Sequence, residues 1–341
     1  MSEIKGIAAP AVSDWLTANL DGLPAPYRFD LIAAGGSNLT YITTAANGVR
    51  FVLRRGPLRA RLATAHDMQR EYRIMQALAG TCVPVPAMFA YCADESVNGA
   101  EFYCMEMVDG LVLRDRASTM EMSRGDCLRA TESLVDVQVA FHQVDLGSVG
   151  LGDLSRHAGY IERQLSRWKK QVDAGRCRDV PLLDELHEVL RRSVPPATKA
   201  RPGLAHGDYR FDNTVLDSNY RVSAVLDWEL CTIGDPLADF IWSLGYWAEP
   251  GEQLTWLQDP PTKNPQFPRR EVVTSLYAAR SGDSLDDIDW YTAFSWWKQA
   301  CIVEGIYSRM QNGASGGMKL EHVDLVGQRV IAYLERARSL L

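Results

Sequence analysis

No apolar run reaches the roughly 18 residues of a membrane-spanning helix, so membrane insertion is not expected. The seven cysteines, at 82, 92, 104, 127, 177, 231 and 301, are odd in number and never form a Cys-x-x-Cys pair. Most sit in apolar runs, so the expectation is reduced, buried thiols in a cytoplasmic protein. Met1-Ser2-Glu3-Ile4-Lys5 lacks the shape of a signal peptide. Neither an internal repeat nor a low-complexity segment is visible. Positive charge is not in excess: the formal net charge is -7, which argues against nucleic acid as the main partner. Acidity this mild does not identify a cationic substrate. What remains is an ordinary globular composition, 46% hydrophobic over 341 residues, with room for about two domains and a sizeable core.

The most informative stretch is His206-Gly207-Asp208-Tyr209-Arg210-Phe211-Asp212-Asn213, answered by Leu226-Asp227-Trp228-Glu229. Between them Thr214-Val215-Leu216 reads as a strand, Asp217-Ser218-Asn219-Tyr220 as a turn, and residues 221–226 as the return strand. An antiparallel hairpin sets Asn213 and Asp227 side by side at its mouth, with Asp208 just upstream. An amide oxygen with carboxylates suits a hard cation such as Mg2+.

The His-Gly-Asp-x-x-x-x-Asn motif, followed by a hairpin and an apolar-Asp-Trp, resembles the aminoglycoside phosphotransferase and choline kinase superfamily, which has the protein-kinase fold. Its Asp-to-Asn spacing is that of the kinase catalytic loop. The longer run from Leu226 to Asp239 resembles phosphotransferase domains related to those fused to acyl-CoA dehydrogenases. The resemblance implies that Asp208 orients the acceptor hydroxyl, that Asn213 and Asp227 hold Mg2+, and that Arg210 contacts phosphate. It also implies that Asp239 braces the catalytic loop without being catalytic.

Upstream, Phe29–Ala34 and Leu39–Ala45 read as strands separated by Gly35-Gly36-Ser37-Asn38. Asn47-Gly48, a strong hairpin signal, leads to a third strand, Val49–Arg55. In a kinase-like reading Gly35, Gly36, Ser37 and Asn38 cover the ATP phosphates; the alternative is a plain β-turn, and the Gly-x-Gly-x-x-Gly of protein kinases is missing. Arg50, Val52 and Arg54 share one face of the third strand, and Phe51, Leu53 and Arg55 the other. Kinases put a lysine here, and this chain has none nearby. Arg54 matches that position best and Arg55 is the fallback; either would grip phosphate as a planar fork rather than a point charge. A helix over about 64–78 sets Glu71 in an apolar stripe with Met68, Met75 and Leu78, where a carboxylate needs a cation. That cation is Arg54 in the kinase-like reading, or a local Arg70 or Arg73 at the surface. Strands over 87–92 and 101–108, joined by a turn at Ser96–Gly99, complete the order of a kinase small lobe. The hinge follows, with Glu106 and Val108 offering backbone to an adenine edge.

Elsewhere the pattern is helical. Residues 10–21 read as a helix with Ala11, Trp15, Leu16 and Leu20 on one face and Ser13 or Asp14 at its start. Helices are expected over 124–144, ending in a core or capping His142, and over 160–174 and 182–193 as solvent-faced amphipathic pieces. His206 is read as holding the loop backbone. Asp235 caps a helix that begins at Pro236. Helices over 269–280, 287–310 and 320–341 carry or adjoin Trp242, Trp247, Trp256, Trp290, Trp296 and Trp297, which either pack helices or wall an apolar acceptor pocket. Asp283, Asp286, Asp287 and Asp289 either attract an amine or form a solvated helix start.

The expectation is therefore an α+β, two-lobed protein-kinase-like fold. Residues 1–108 form a small lobe with five antiparallel strands and one helix, and 109–341 a larger, mainly helical lobe. The expected function is transfer of the ATP γ-phosphate, with Mg2+, to a hydroxyl of a small molecule such as a hydroxyacyl-CoA or other apolar hydroxy compound. Aminoglycoside, choline or homoserine-type acceptors are the alternative, though no dense acidic wall is visible in the last hundred residues. Two further classes stay open. One is a catalytically silent nucleotide-binding module; the other is a metal hydrolase using His206 and Asp208.

Overall fold

A computed structural model describes residues 4–34, 38–58, 67–154, 159–196, 202–313 and 323–341. In chain order the elements are α1 (Ala9–Asn19), β1 (Arg28–Ala34), β2 (Leu39–Thr44), β3 (Arg50–Arg55), α2 (Met68–Leu78), β4 (Met88–Cys92), α3 (Glu95–Asn98) and β5 (Phe102–Glu106). Then follow α4 (Arg124–His142), α5 (Tyr160–Gly175), α6 (Pro181–Arg192), β6 (Gly203–Ala205), β7 (Thr214–Leu216), β8 (Val222–Val225) and β9 (Thr232–Gly234). The chain ends with α7 (Pro236–Gly245), α8 (Arg270–Ser281), α9 (Ile288–Gln311) and α10 (Val323–Arg338). Two compact units interleave in sequence, whereas the expected division falls once, after residue 108. The first unit comprises Met1–Val112, Asp145–Gly152 and Phe211–Cys231; the second comprises Leu113–Val144, Asp153–Arg210 and Thr232–Leu341.

The first unit is built on an antiparallel sheet of order β1-β2-β3-β5-β4. Alternation along β3 sends Phe51, Leu53 and Arg55 to one face, where the two apolar side chains join Val12, Leu16, Tyr41, Phe102 and Cys104 in a single core. Helix α1 differs from expectation. It begins at Ala9 with Pro10 in its first turn, and buries Val12 and Leu16 while Ala11 is exposed. The reason lies outside the helix: the Asn98 side-chain oxygen accepts the Ala8 N–H at 2.9 Å and fixes the entry. The expected turn at 96–99 is instead a single helical turn, capped by Asp94 and closed by Gly99 in the left-handed conformation. Helix α2 is capped by Asp67, whose carboxylate accepts the Arg70 N–H at 2.9 Å; the first residues of the expected 64–78 helix lie outside the described ones.

In the second unit α9 is buried on most of its circumference and packs against α10, α5, α6 and α7. All six tryptophans singled out above are buried. Trp297 donates to the Leu183 carbonyl at 3.0 Å, and Trp242, Trp256 and Trp296 form an aromatic chain, edge-to-face between Trp256 and Trp296 and tilted elsewhere, that ends on Tyr333. Helix packing thus accounts for most of these side chains, although Trp256 and Trp296 also border a cavity of about 240 Å3. Helices α5 and α6 are amphipathic as expected, burying Ile161, Leu165 and Val172, and Leu183, Leu186 and Leu190. All seven cysteines are free thiols, but only five are buried; Cys82 and Cys177 are exposed, contrary to the expectation of burial. Among the described residues no helix is long and apolar enough to cross a membrane.

Within the first unit the segment after β5 is tied to the β7–β8 hairpin by a reciprocal pair of hydrogen bonds between Leu111 and Leu216, both 2.8 Å. The approach is close because residue 110 has no side chain: a Cβ there would lie 2.3 Å from the Leu216 carbonyl oxygen and 2.6 Å from Val215 Cγ1. Backbone cannot step aside cheaply. Gly110→Ala is expected to cost about 1–3 kcal/mol, read as a lowered midpoint in urea unfolding.

Candidate active site

The β7–β8 hairpin places the first group of candidate residues. Asp217 shapes its turn by accepting the N–H groups of Asn219 and Arg221, both at 2.8 Å. Thr214 pairs with Val225, and the Leu226 N–H donates to the Asn213 carbonyl at 2.8 Å. Asn213 and Asp227 therefore flank the mouth of the hairpin, as the spacing predicts. Asp227 adopts φ 63° and ψ 56°, a left-handed conformation that aspartate tolerates better than most residues. Buried Trp228 follows it, donating to the Val225 carbonyl at 3.1 Å and holding the short helical turn Trp228–Leu230.

Arg54 is the hub of this unit. Its Nη2 lies 2.5 Å from Asp227 Oδ1, 3.2 Å from Glu71 Oε1 and 3.7 Å from Glu229 Oε2. Glu71 is 1% exposed at its side chain, and its other oxygen accepts the Tyr103 hydroxyl at 2.8 Å. Burial pushes the Glu71 carboxyl up, with Arg54 and Tyr103 opposing. Burial likewise works against the Arg54 charge, but Tyr103, Glu71 and Asp227 outweigh it and hold Arg54 above its ordinary value. Both alternatives left open by the sequence are decided geometrically. Arg70 and Arg73 donate elsewhere, to the Cys231 carbonyl at 2.5 Å and the Gly150 carbonyl at 2.6 Å. Arg55 points into the core and donates to the carbonyls of Gly6, Gly56 and Asn98.

Asn38 is buried and donates to Glu229 Oε2 at 3.4 Å, which links the β1–β2 turn to the same cluster. Gly35, Gly36 and Ser37 lie outside the described residues. Glu106 and Val108 are not part of the Arg54 cluster: Glu106 ends β5 with its carboxylate exposed and accepting the Ala87 N–H at 3.1 Å, and Val108 is half-buried beyond it. Glu229 is a participant that sequence reading missed, although its place two residues after Asp227 was a usable signal. Glu71, Asp227 and Glu229 each bring one carboxylate oxygen within 4.8 Å of the others. With the Asn213 amide nearby in sequence, this all-oxygen donor set fits a hard divalent cation.

The second group of candidates stands on the loop after β6, in the second unit. Asp239 organises it from α7, accepting the N–H of His206 at 3.1 Å and of Gly207 at 2.8 Å, while His142 Nε2 lies 3.0 Å from the same carboxylate. Burial alone would raise the Asp239 carboxyl, but His142, His206 and the Gly207 N–H hold it below its ordinary value. His142 is thus a core residue, bridging Asp239 to the Tyr277 hydroxyl 2.9 Å away. His206 is fully buried, and its Nδ1 accepts the Asp208 N–H at 3.3 Å. That geometry suits a backbone-holding role, not a solvent-facing base. Asp208 and Arg210 come together, Oδ1 to Nε 3.2 Å. Sequence reading missed Tyr246, just after α7, which is hydrogen-bonded to Asp208 and carries the Arg210 guanidinium 5.1 Å from its ring centroid. Burial first and Asp208 second push the Tyr246 phenol well above its ordinary value. Asp235 caps α7 as expected, through the N–H groups of Leu237 and Ala238, and also accepts the Tyr291 hydroxyl at 2.8 Å. Of the acidic loop, Asp287 occupies the position before α9 without a side-chain capping bond.

Comparison with known proteins gives a consistent picture. The profile of a family described as "Phosphotransferase enzyme family" matches residues 28–259, more than half of the chain. Acyl-CoA dehydrogenase family member 11 of Gallus gallus is 36% identical over 286 residues, covering 81% of this chain and 36% of that protein. The chain spans only about a quarter to two fifths of the length of the curated relatives it matches. A Ralstonia eutropha protein that carries a provisional assignment as an aminoglycoside phosphotransferase superposes with a TM-score of 0.82 at 31% identity, over 97% of this chain and 98% of that one. The streptomycin–ATP complex of APH(2")-IIa superposes at 0.63 with 13% identity over 99% of each chain, a likeness of fold. The α+β, protein-kinase-like architecture expected from the motif order is the one observed.

Two stability measurements follow from this geometry. Arg54→Leu leaves three close carboxylates without their cation and is expected to cost about 3–5 kcal/mol. Losing Arg54 removes a main influence opposing burial at Glu71 and lifts its folded-state pKa further above the unfolded one, so acidification from pH 7 to pH 5 should narrow the gap to wild type, and millimolar Mg2+ should do the same. Urea unfolding at both pH values checks this. Asp239 has the opposite sign. Its folded pKa is lowered, so it contributes stability above the usual carboxylate value of about 3.9, lost as pH falls through the folded value. The stability–pH curve of Asp239→Asn should be flatter on the acid side.

Proposed function

Because the chain belongs to the phosphotransferase enzyme family, we propose that it transfers the γ-phosphate of ATP, with Mg2+, to a hydroxyl of a small molecule. The observation that carries this reading is the Arg54 hub, in which a strand cation is fixed by a helix carboxylate and by the aspartate at the hairpin mouth. Arg54 would hold the ATP phosphates, and Glu71 would keep its guanidinium in place. Asn38, with Gly35, Gly36 and Ser37, would close over the phosphates, and the backbone at Glu106 and Val108 would take the adenine edge. Asn213 and Asp227 would hold Mg2+, which when bound neutralises phosphate charge.

Asp208 would orient the acceptor hydroxyl and accept its proton, and Arg210 would offset charge on the transferred group. The Tyr246 hydroxyl, bonded to Asp208 and kept protonated, steadies that carboxylate. Catalysis on this reading is positioning and electrostatic stabilisation. The first unit then handles nucleotide and metal, and the second handles the acceptor. The curated relatives are named as acyl-CoA dehydrogenase family members, which supports a hydroxyacyl-CoA or related apolar hydroxy compound as acceptor.

The test is ATP consumption with Mg2+ over a panel of hydroxyacyl-CoAs, choline, homoserine, sugars and aminoglycosides. Asp208→Asn should lower kcat by about 10²- to 10⁴-fold with nucleotide affinity kept. Asp227→Ala should lose Mg2+-dependent ATP binding. Nucleotide binding without turnover on any acceptor would point to a silent binding module, and activity without ATP to a hydrolase.

A further inference from the structure

Lys298 on α9 is a cation that the reaction described above does not use. It follows Trp296 and Trp297 in a helix buried on most sides. Its Nζ sits 3.6 Å from the ring centroid of Trp242 and 5.9 Å from that of Trp168. Among the described residues no carboxylate makes an ion pair with it. The charges that reach it are Asp239 of α7, Arg167 of α5 and Asp208 of the catalytic loop. Burial works most strongly against its ammonium, which Asp239 and Asp208 only partly offset, so its pKa is lowered to about 8.

The aromatic faces of Trp242 and Trp168 stabilise a cation but do not neutralise it. Among the described residues the charge therefore has no ion-pair partner, and only Asp239 and Asp208, the carboxylate that would meet the acceptor, partly offset it. Arg167 adds to the same sign. It also borders, with Arg163, Lys170, Tyr160 and Thr232, a cavity of about 720 Å3 whose other charged wall residue is Glu162. A cationic acceptor would be repelled by this arrangement, and an anionic one would complete it.

We propose that Lys298 selects the acceptor: an anionic group of the substrate, carboxylate or phosphate, docks on its ammonium while the substrate hydroxyl is presented to Asp208. The inference deepens the kinase reading and rests on it. It narrows the acceptor to hydroxy compounds that carry negative charge, and it sets aloof the amines and aminoglycosides that the fold also accommodates elsewhere. The sign of its pH dependence follows. The ammonium is present below about pH 8 and is lost as pH rises through that value, so anion affinity should fall between pH 7 and pH 9.

The experiment compares wild type, Lys298→Met and Lys298→Arg by calorimetry, with 4-hydroxybutyrate as the carboxylate probe, glycerol 3-phosphate as the phosphate probe and 1,4-butanediol as the neutral one. At pH 7 at least one anion should bind wild type about 30-fold more tightly than Lys298→Met, with Lys298→Arg within about fivefold of wild type. Raising the pH to 9 should weaken that anion roughly tenfold in wild type only, and the diol should not distinguish the three proteins. Whichever anion responds identifies the group recognised. If neither anion separates wild type from Lys298→Met, or if the diol binds wild type more tightly than both, the inference is overturned. Thermal unfolding confirms that the variants are folded. Binding of a non-hydrolysable ATP analogue with Mg2+ is measured beside these titrations. Its absence would sink the kinase reading alone, because the anion comparison does not depend on it.

Discussion

Arg54 and the carboxylates around it set the terms for the first unit. A cation buried among strands is costly by itself, and a carboxylate buried in a helix stripe is equally costly. Each becomes tolerable only because the other is there. A single guanidinium nitrogen, Nη2, faces Glu71 and Asp227 together. Buried ion pairs of this kind contribute more to fixing one arrangement than to net stability. Here the arrangement fixed is the position of Asp227, whose left-handed backbone is held from behind by Trp228 and from the front by Arg54.

The second unit repeats the device with different chemistry. Asp239 accepts two successive backbone N–H groups and a histidine, so one carboxylate specifies the path of the loop that carries Asp208. Its depressed pKa reports how completely it is satisfied. The loop's own His206 contributes by accepting the Asp208 N–H. Neither Asp239 nor His142 faces the chemistry, yet both decide where Asp208 points.

Much of this was legible in the residues. The two-residue alternation of β3 assigns Arg54 and Arg55 to opposite faces, and the helical spacing of Met68, Glu71, Met75 and Leu78 buries Glu71. The hairpin between Asn213 and Asp227 follows from turn chemistry and strand propensity. What was not legible depends on partners remote in sequence. The start of α1 is set by Asn98, ninety residues away, and no local signal announces that. Tyr246 matters through Asp208, and Glu229 through Arg54 and Asn38. Lys298 was hidden because α9 is buried nearly all round, which erases the periodicity that would mark a functional face. A lone charge after Ser295-Trp296-Trp297 was the only clue.

The interleaving of the two units bears on how the protein is made. The first unit is complete only when the Phe211–Cys231 segment packs with Met1–Val112. On a ribosome that segment follows roughly 120 residues after the sheet, a delay of roughly 6–24 s at ordinary elongation rates. Through that interval the emerging chain carries Arg54 and Glu71 without Asp227. A nascent sheet therefore waits with its buried charges only partly balanced, and the second unit's first helices are synthesised before the first unit can finish. The hairpin that carries Asp227 is thus the last part of the first unit to be made.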